Sequence, residues 1–205
     1  MAGMQRPGLS HAPAGRVRGR SGGRAVSSRK RIALVTTGGT IEKTYDELGG
    51  VLSNRVSNLD VMLAGLELGG VELSRVALMN KDSLDLTSED LELIVATVAQ
   101  RVRDHDGVVV VHGTDRLAET GRLLHGRLEG LDVPVVMTGA MRPYELRHTD
   151  ATQNLTEALL AVQFLAPGVW CVMHDRALRF PGVVKDRARM TFAMESELHE
   201  TPEAS

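Results

Sequence analysis

Four short apolar runs, each stopped by small or polar residues, constrain this chain more than any other feature. They are Ile32–Val35, Gly107–Val111, Val133–Thr138 and Gly168–Met173. Runs of this length, rich in β-branched residues and bounded by Gly, read as strands buried on both faces of a parallel sheet. The segments between them are long enough for crossover helices. Ser88–Arg103 places Leu91, Ile94, Val95, Val98 and Val102 on one face, the spacing of an amphipathic helix. Thr87 with Asp90, or Ser88, can cap it. Helices are also read at Asn58–Leu66, Arg116–Leu128 and Thr152–Leu165, and a further strand at Val71–Met79. Five strands alternating with about four helices predict one α/β domain, a doubly wound, mostly parallel sheet of the Rossmann-like or flavodoxin-like kind.

The strand ends carry the polar residues. The first run continues as Thr36-Thr37-Gly38-Gly39-Thr40, and the valine run as His112-Gly113-Thr114-Asp115. In open α/β sheets the carboxyl ends of the strands are where ligands bind. Neither segment is a phosphate loop, since GxGxxG and Gly-Lys-Ser/Thr are both missing. A threonine of the first turn is the candidate nucleophile. Asp115 at a helix start also has a purely structural explanation in the helix dipole. His112 directly ends a buried strand and reads as a satisfied structural histidine. Asp82 and Ser83 stand just past a strand end, where such residues are often turn formers. Tyr45 lies in a long loop, Glu42–Ser57, and could close over a site or simply face solvent.

Charge divides the chain. Residues 1–31 hold eight Lys or Arg and no acid, and residues 32–205 carry a net of about −10. The basic leader, residues 1–30, is poor in apolar residues and is expected to be disordered. It has the look of a transit peptide, of a basic arm for nucleic acid, or of an unstructured leader. The acidic body argues against nucleic acid as its main partner. The single cysteine, Cys171, excludes an internal disulfide framework and fits a reducing, cytoplasmic setting. No run approaches the ~18 apolar residues of a membrane span. Residues 191–205 read as a flexible tail. No His/Cys cluster has metal-ligand spacing, so neither metal nor cofactor is expected.

Taken together, TTGGTI (36–41), HGTD (112–115) and TGAMRP (138–143) resemble the signature segments of the bacterial-type L-asparaginase family. The resemblance covers roughly residues 31–190, the amino-terminal domain of the long enzymes, so that a short-chain form is expected. It implies hydrolysis of the side-chain amide of asparagine to aspartate and ammonia, without metal, in a homo-oligomer (dimer or tetramer). By the resemblance, Thr40 is the nucleophile and Tyr45 its loop tyrosine. Thr114, Asp115 and Lys185 form a second relay. Ser83 beside Asp82 binds substrate, and Gly39, Gly113 and Ala140 line the pocket with backbone. A threonine hydroxyl needs a partner to take its proton. Burial lowers a lysine's pKa and a neighbouring aspartate raises it, and the sequence leaves that balance open. The chain departs from the family pattern at Leu84, beside the binding serine, and at Arg116, after Asp115. The same motifs occur in related amidases and in amidotransferase subunits acting on charged transfer RNA. A binding module that keeps an amino-acid pocket without turnover is the alternative reading.

Overall fold

The computed structural model describes residues 29–54 and 57–198. Strand β1 (Lys30–Gly38) leads through a short 3-10 turn, Thr40–Glu42, into a small hairpin of β2 (Thr44–Asp46) and β3 (Val51–Ser53). Then follow α1 (Leu59–Ala64), β4 (Val71–Lys81), α2 (Ser88–Arg101), β5 (Gly107–Val111), α3 (Leu117–Arg127), β6 (Pro134–Thr138), α4 (Ala151–Ala161) and β7 (Gly168–Met173). The chain closes with β8 (Arg176–Arg179), β9 (Val183–Asp186), β10 (Thr191–Met194) and α5 (Glu195–Leu198).

The main sheet runs β4-β1-β5-β6-β7-β8. The first five strands are parallel and β8 is antiparallel at the edge. The chain steps outward from β1 to β4, then crosses back to β5 on the other side. The crevice between β1 and β5 is therefore the topological switch point, where such sheets bind ligands.

Alternation along the strands splits the apolar residues between two cores. Ala33, Val35, Val108 and Val110 pack with Leu91, Ile94, Val98, Leu117 and Leu124, beneath α2 and α3. Ile32, Leu34, Val109 and Val111 pack with Leu59, Met62, Leu155 and Leu159, beneath α1 and α4. A sheet covered on both faces explains why the valine run shows no polar alternation. Helix α2 opens on a complete capping box: Thr87 Oγ1 accepts from the Asp90 amide, and the Asp90 carboxylate accepts from the Thr87 amide.

Two expectations need correction. The carboxyl-terminal stretch is folded through Leu198: Thr191–Met194 pairs antiparallel with Val183–Asp186, and Phe192 is buried. Phe192 supplies apolar surface to the α2/α3 core and Ala193 is buried beside it, so 191–198 is not a tail. Residues 199–205, and 1–28 of the basic leader, lie outside the described residues. The second correction is the sixth strand. Strand β7 ends at Met173, and His174 and Asp175 both take left-handed backbone conformations, φ 52° and 61°. That is the turn that folds β8 back against β7.

The candidate active site

Gly39 and Gly113 hold the ends of β1 and β5 together. A Cβ on Gly39 would stand 2.5 Å from the Gly113 nitrogen, and a Cβ on Gly113 would stand 2.6 Å from Ser83 Oγ. Only glycine permits this three-way approach of the β1, β4 and β5 ends. Three of the residues singled out in the sequence, Gly39, Gly113 and Ser83, thus share one crevice, and Thr40 follows directly on Gly39.

The three threonines of the first turn separate by environment. Thr36 and Thr37 are buried, and Thr37 Oγ1 donates to the Val111 carbonyl at 3.1 Å. Thr40 is half-buried on the 3-10 turn. The Gly39 amide is already spent on the Lys81 carbonyl, 2.8 Å away, so it cannot also hold an oxyanion. The Gly113 and Thr114 amides lie beyond the end of β5 and have no acceptor among the described residues.

Seventy-one residues beyond Thr114 in sequence, Lys185 returns to the same rim. Its Nζ lies 2.8 Å from Thr114 Oγ1 and 3.0 Å from Asp115 Oδ1. Lys185 is carried by the β9–β10 hairpin, and packing fixes that hairpin. Phe180, just before it, lays its ring on α3 at Gly121, where a Cβ would come within 2.5 Å of both ring Cε atoms. Phe192 pairs with Lys185 across the hairpin and is buried in the same core.

A second amine–carboxylate pair was not read from the sequence. Lys43 Nζ lies 2.6 Å from Asp82 Oδ2. Lys43 caps the 3-10 turn, its amide donating to the Thr40 carbonyl at 3.2 Å. The signal was present as a lysine three residues after the threonine, but a lone surface lysine carries no direction. The hydrogen bond from Lys43 holds the Asp82 carboxyl below its ordinary range, and the charge of Lys185 adds to this. Arg187 Nη2 also lies 3.3 Å from Asp115 Oδ1.

Other expected residues are placed differently. Tyr45 is 56% exposed on β2, and its amide donates to Glu145. Its hydroxyl has no hydrogen bond among the described residues. The Ala140 side chain is buried in the α1/α4 core, while a Cβ on Gly139 would collide with the His112 carbonyl oxygen and touch Thr114 Cγ2. Arg116 turns away from the site, donating to Glu119 and to the Leu86 carbonyl.

His112 is fully buried between Gly113 O and Thr120 Oγ1, 2.8 and 3.0 Å away. Burial pushes its pKa down to about 4, so at neutral pH the ring is uncharged. The neutral ring donates from Nδ1 to the Gly113 carbonyl, and Nε2 remains as an acceptor for the Thr120 hydroxyl. That pins the HGTD turn from beneath, as a structural histidine does.

The Ala140 loop is held by Asp150. Its oxygens accept from the Met141 and Arg142 amides, Asn154 Nδ2 and His174 Nε2, all at 2.7–2.9 Å. Burial alone would raise this carboxyl, yet the amide and imidazole donors outweigh it and hold it below its ordinary range. His174 Nδ1 in turn meets Thr191 Oγ1 at 2.9 Å, which ties the loop to the hairpin that carries Lys185.

Known proteins resemble this chain in sequence and in fold. The family model described as Asparaginase, N-terminal matches residues 31–202. The chain belongs to that family. It is 30% identical over 149 residues to the L-asparaginase of Thermococcus kodakarensis, covering 72% of this chain and 45% of that protein. It is 33% identical to a glutamyl-tRNA(Gln) amidotransferase subunit of Thermoplasma acidophilum, over 63% of this chain and 32% of that one. The solved structure of the thermostable L-asparaginase from Thermococcus kodakarensis superposes with a TM-score of 0.73, over 80% of this chain and 51% of that one. The probable cytoplasmic L-asparaginase from Campylobacter jejuni gives 0.68 at 30% identity, over 81% and 52%. The chain thus spans about half the length, or less, of these relatives. Among the described residues, no helix is long and apolar enough to cross a membrane.

Proposed function

We propose that the chain is an amidohydrolase that cleaves the side-chain amide of L-asparagine through a threonine nucleophile. The observation that carries this reading is the contact of Lys185 Nζ with both Thr114 Oγ1 and Asp115 Oδ1. A hydroxyl, an amine and a carboxylate meet beside the glycine crevice that Thr40 borders. In this reading the Thr40 oxygen attacks the amide carbon. Its proton passes by way of Thr114 to the Lys185 amine, in an uncharged state, and Asp115 orients that amine. The amides of Gly113 and Thr114 receive the oxyanion, a contribution of about 2.7–4 kcal/mol per donor in comparable sites. The carbon–nitrogen bond breaks, ammonia leaves with the relayed proton, and water hydrolyses the threonyl ester to release the acid. The L-asparaginases among the relatives support the reaction class. The glutamyl-tRNA(Gln) amidotransferase subunits among them support chemistry on an amide group.

Ammonia release from asparagine and glutamine by wild type, Thr40→Ala and Thr114→Val tests the reading. Turnover should fall by at least a hundredfold in both variants, and unchanged turnover in both would remove it. Mass spectrometry of the acylated peptide identifies which threonine carries the ester. The outward position of Tyr45 favours a second reading, a pocket that binds an amino acid without turnover. Calorimetric binding of aspartate with no ammonia at high protein concentration would select it. The expected homo-oligomer is measured by light scattering.

A further inference from the structure

Lys185 and Thr114 stand on different elements, and one hydrogen-bonded network reaches both. Asn154, buried on α4, donates from Nδ2 to the Gly139 carbonyl and to Asp150 Oδ2, each at 2.9 Å. Gly139 lies close to the HGTD turn, since a Cβ there would stand 3.4 Å from Thr114 Cγ2. His174 extends the network in the other direction. Its amide donates to Asn154 Oδ1 at 3.1 Å, its Nε2 meets Asp150 Oδ2 at 2.7 Å, and its Nδ1 meets Thr191 Oγ1 at 2.9 Å. Thr191 pairs with Asp186 across the β9–β10 hairpin, one position from the Lys185–Phe192 pair. The imidazole is thus the joint between the loop beside Thr114 and the hairpin that carries Lys185.

The joint is built around its side chain. Asp150 is held ionised by its donors, so the ring donates to it from Nε2. Nδ1 then accepts from the Thr191 hydroxyl when the ring is neutral and donates to it when the ring is charged. A threonine hydroxyl can play either part, and the tie stands in both states. The backbone points the same way. His174 takes φ 52°, in the left-handed region, where glycine sits without strain and a histidine is held only by its surroundings. Apolar packing of Phe180 and Phe192 seats the hairpin in the core beneath α3. Such packing is non-directional, and a four-carbon lysine stem is flexible. A hydrogen bond of defined length and angle supplies the register that the 2.8 Å contact of Lys185 with Thr114 requires.

We propose that His174 is a positioning residue: through Thr191 it fixes the β9–β10 hairpin against the end of β5, and so sets Lys185 Nζ at Thr114 Oγ1. The inference rests on the amide-hydrolase reading of Lys185 and adds the group that places its amine. His174 acts only through Lys185.

Two variants break the joint in different ways. His174→Gly removes the ring and relieves the backbone, and Thr191→Val removes the hydroxyl and keeps the shape. In ammonia release from asparagine, kcat should fall by about tenfold to a hundredfold in both, the scale of a misplacement near one ångström, with KM within about twofold of wild type. Thr191→Ser should keep wild-type kcat. In a Lys185→Met background, Thr191→Val should cost less than about twofold more, because the two residues act as one unit. A loss that multiplies in full in that background would overturn the inference, as would wild-type kcat in folded Thr191→Val. A second readout needs no substrate: acetylation of Lys185 by acetic anhydride, followed by peptide mass spectrometry. The Lys185 side chain is 14% exposed. It should label severalfold faster in His174→Gly and Thr191→Val than in wild type, and at the wild-type rate in Thr191→Ser. An unchanged rate in both breaking variants overturns the inference. If wild type cleaves no amide, the hydrolase reading fails, and the labelling alone decides whether His174 places the amine.

Discussion

Gly121→Ala should damage the site from a distance, because the β9–β10 hairpin is seated on α3 through that residue. A Cβ there would come within 2.5 Å of Phe180 Cε1 and Cε2, whereas ordinary contact begins near 3.4 Å. The nearest ring atom, Cζ, would stand 2.1 Å away and must retreat by more than an ångström, and Phe180 is itself buried at 2% exposure. Overpacking of this kind costs roughly 1–3 kcal/mol. Replacing an interior helical glycine by alanine returns about 1 kcal/mol. The net expectation is a loss of roughly 0–2 kcal/mol in urea unfolding. Turnover should fall further than stability, since a hairpin displaced by that much loses the 2.8 Å contact of Lys185 with Thr114. Phe180→Leu, in the same background, removes the clash, so the double variant should be less destabilised than the sum of the two single variants. If Gly121→Ala stabilises the chain by the full helix-propensity gain and leaves activity untouched, the hairpin is not positioned by this contact.

Further perturbations follow from the same geometry. His112 titrates near 4 when folded against 6.5 otherwise. The unfolded chain therefore binds more protons between those values, and stability present above pH 6.5 is lost as pH falls towards 4. The effect is about 3 kcal/mol at most, and His112→Asn should flatten that part of the urea-midpoint profile. Burial raises the Glu42 carboxyl above its ordinary range, and its Oε1 has no hydrogen-bond partner among the described residues. Glu42→Gln should thus raise stability at pH 7 by about 1–3 kcal/mol, with the gain shrinking towards pH 4.5. A gain that does not depend on pH would refute that cause. Asp150→Ala strands the Met141 and Arg142 amides and His174; a loss of about 3 kcal/mol is expected by chemical denaturation.

The parts of this architecture written locally in the chain were legible. The valine run had to be a strand buried on both faces, and Thr87 with Asp90 spelled out a cap. What escaped was long-range. His174-Asp175 makes a tight turn without the Asn-Gly or Asp-Gly signature, so β8 was invisible. The β9 and β10 strands are four residues each, and Val183 of β9 and Phe192 of β10 anchor them in the same core as Phe180. Lys185 reached the candidate site through resemblance, because no periodicity connects it to Thr114. Tyr45 stands exposed for a related reason: it lies on a hairpin held by the β2–β3 pairing and by Glu145, which proximity in sequence to Thr40 does not convey. Lys43, three residues from Thr40, pairs with Asp82, whereas Tyr45 is exposed.

The proposed reaction depends on the Lys185 amine serving the Thr114 hydroxyl. The most direct measurement is steady-state ammonia release by Lys185→Met, with folding verified by its thermal unfolding profile. A folded variant slowed by about 10²–10⁴-fold, the range for loss of a general base, is the predicted result. Full turnover in a folded Lys185→Met protein would contradict it.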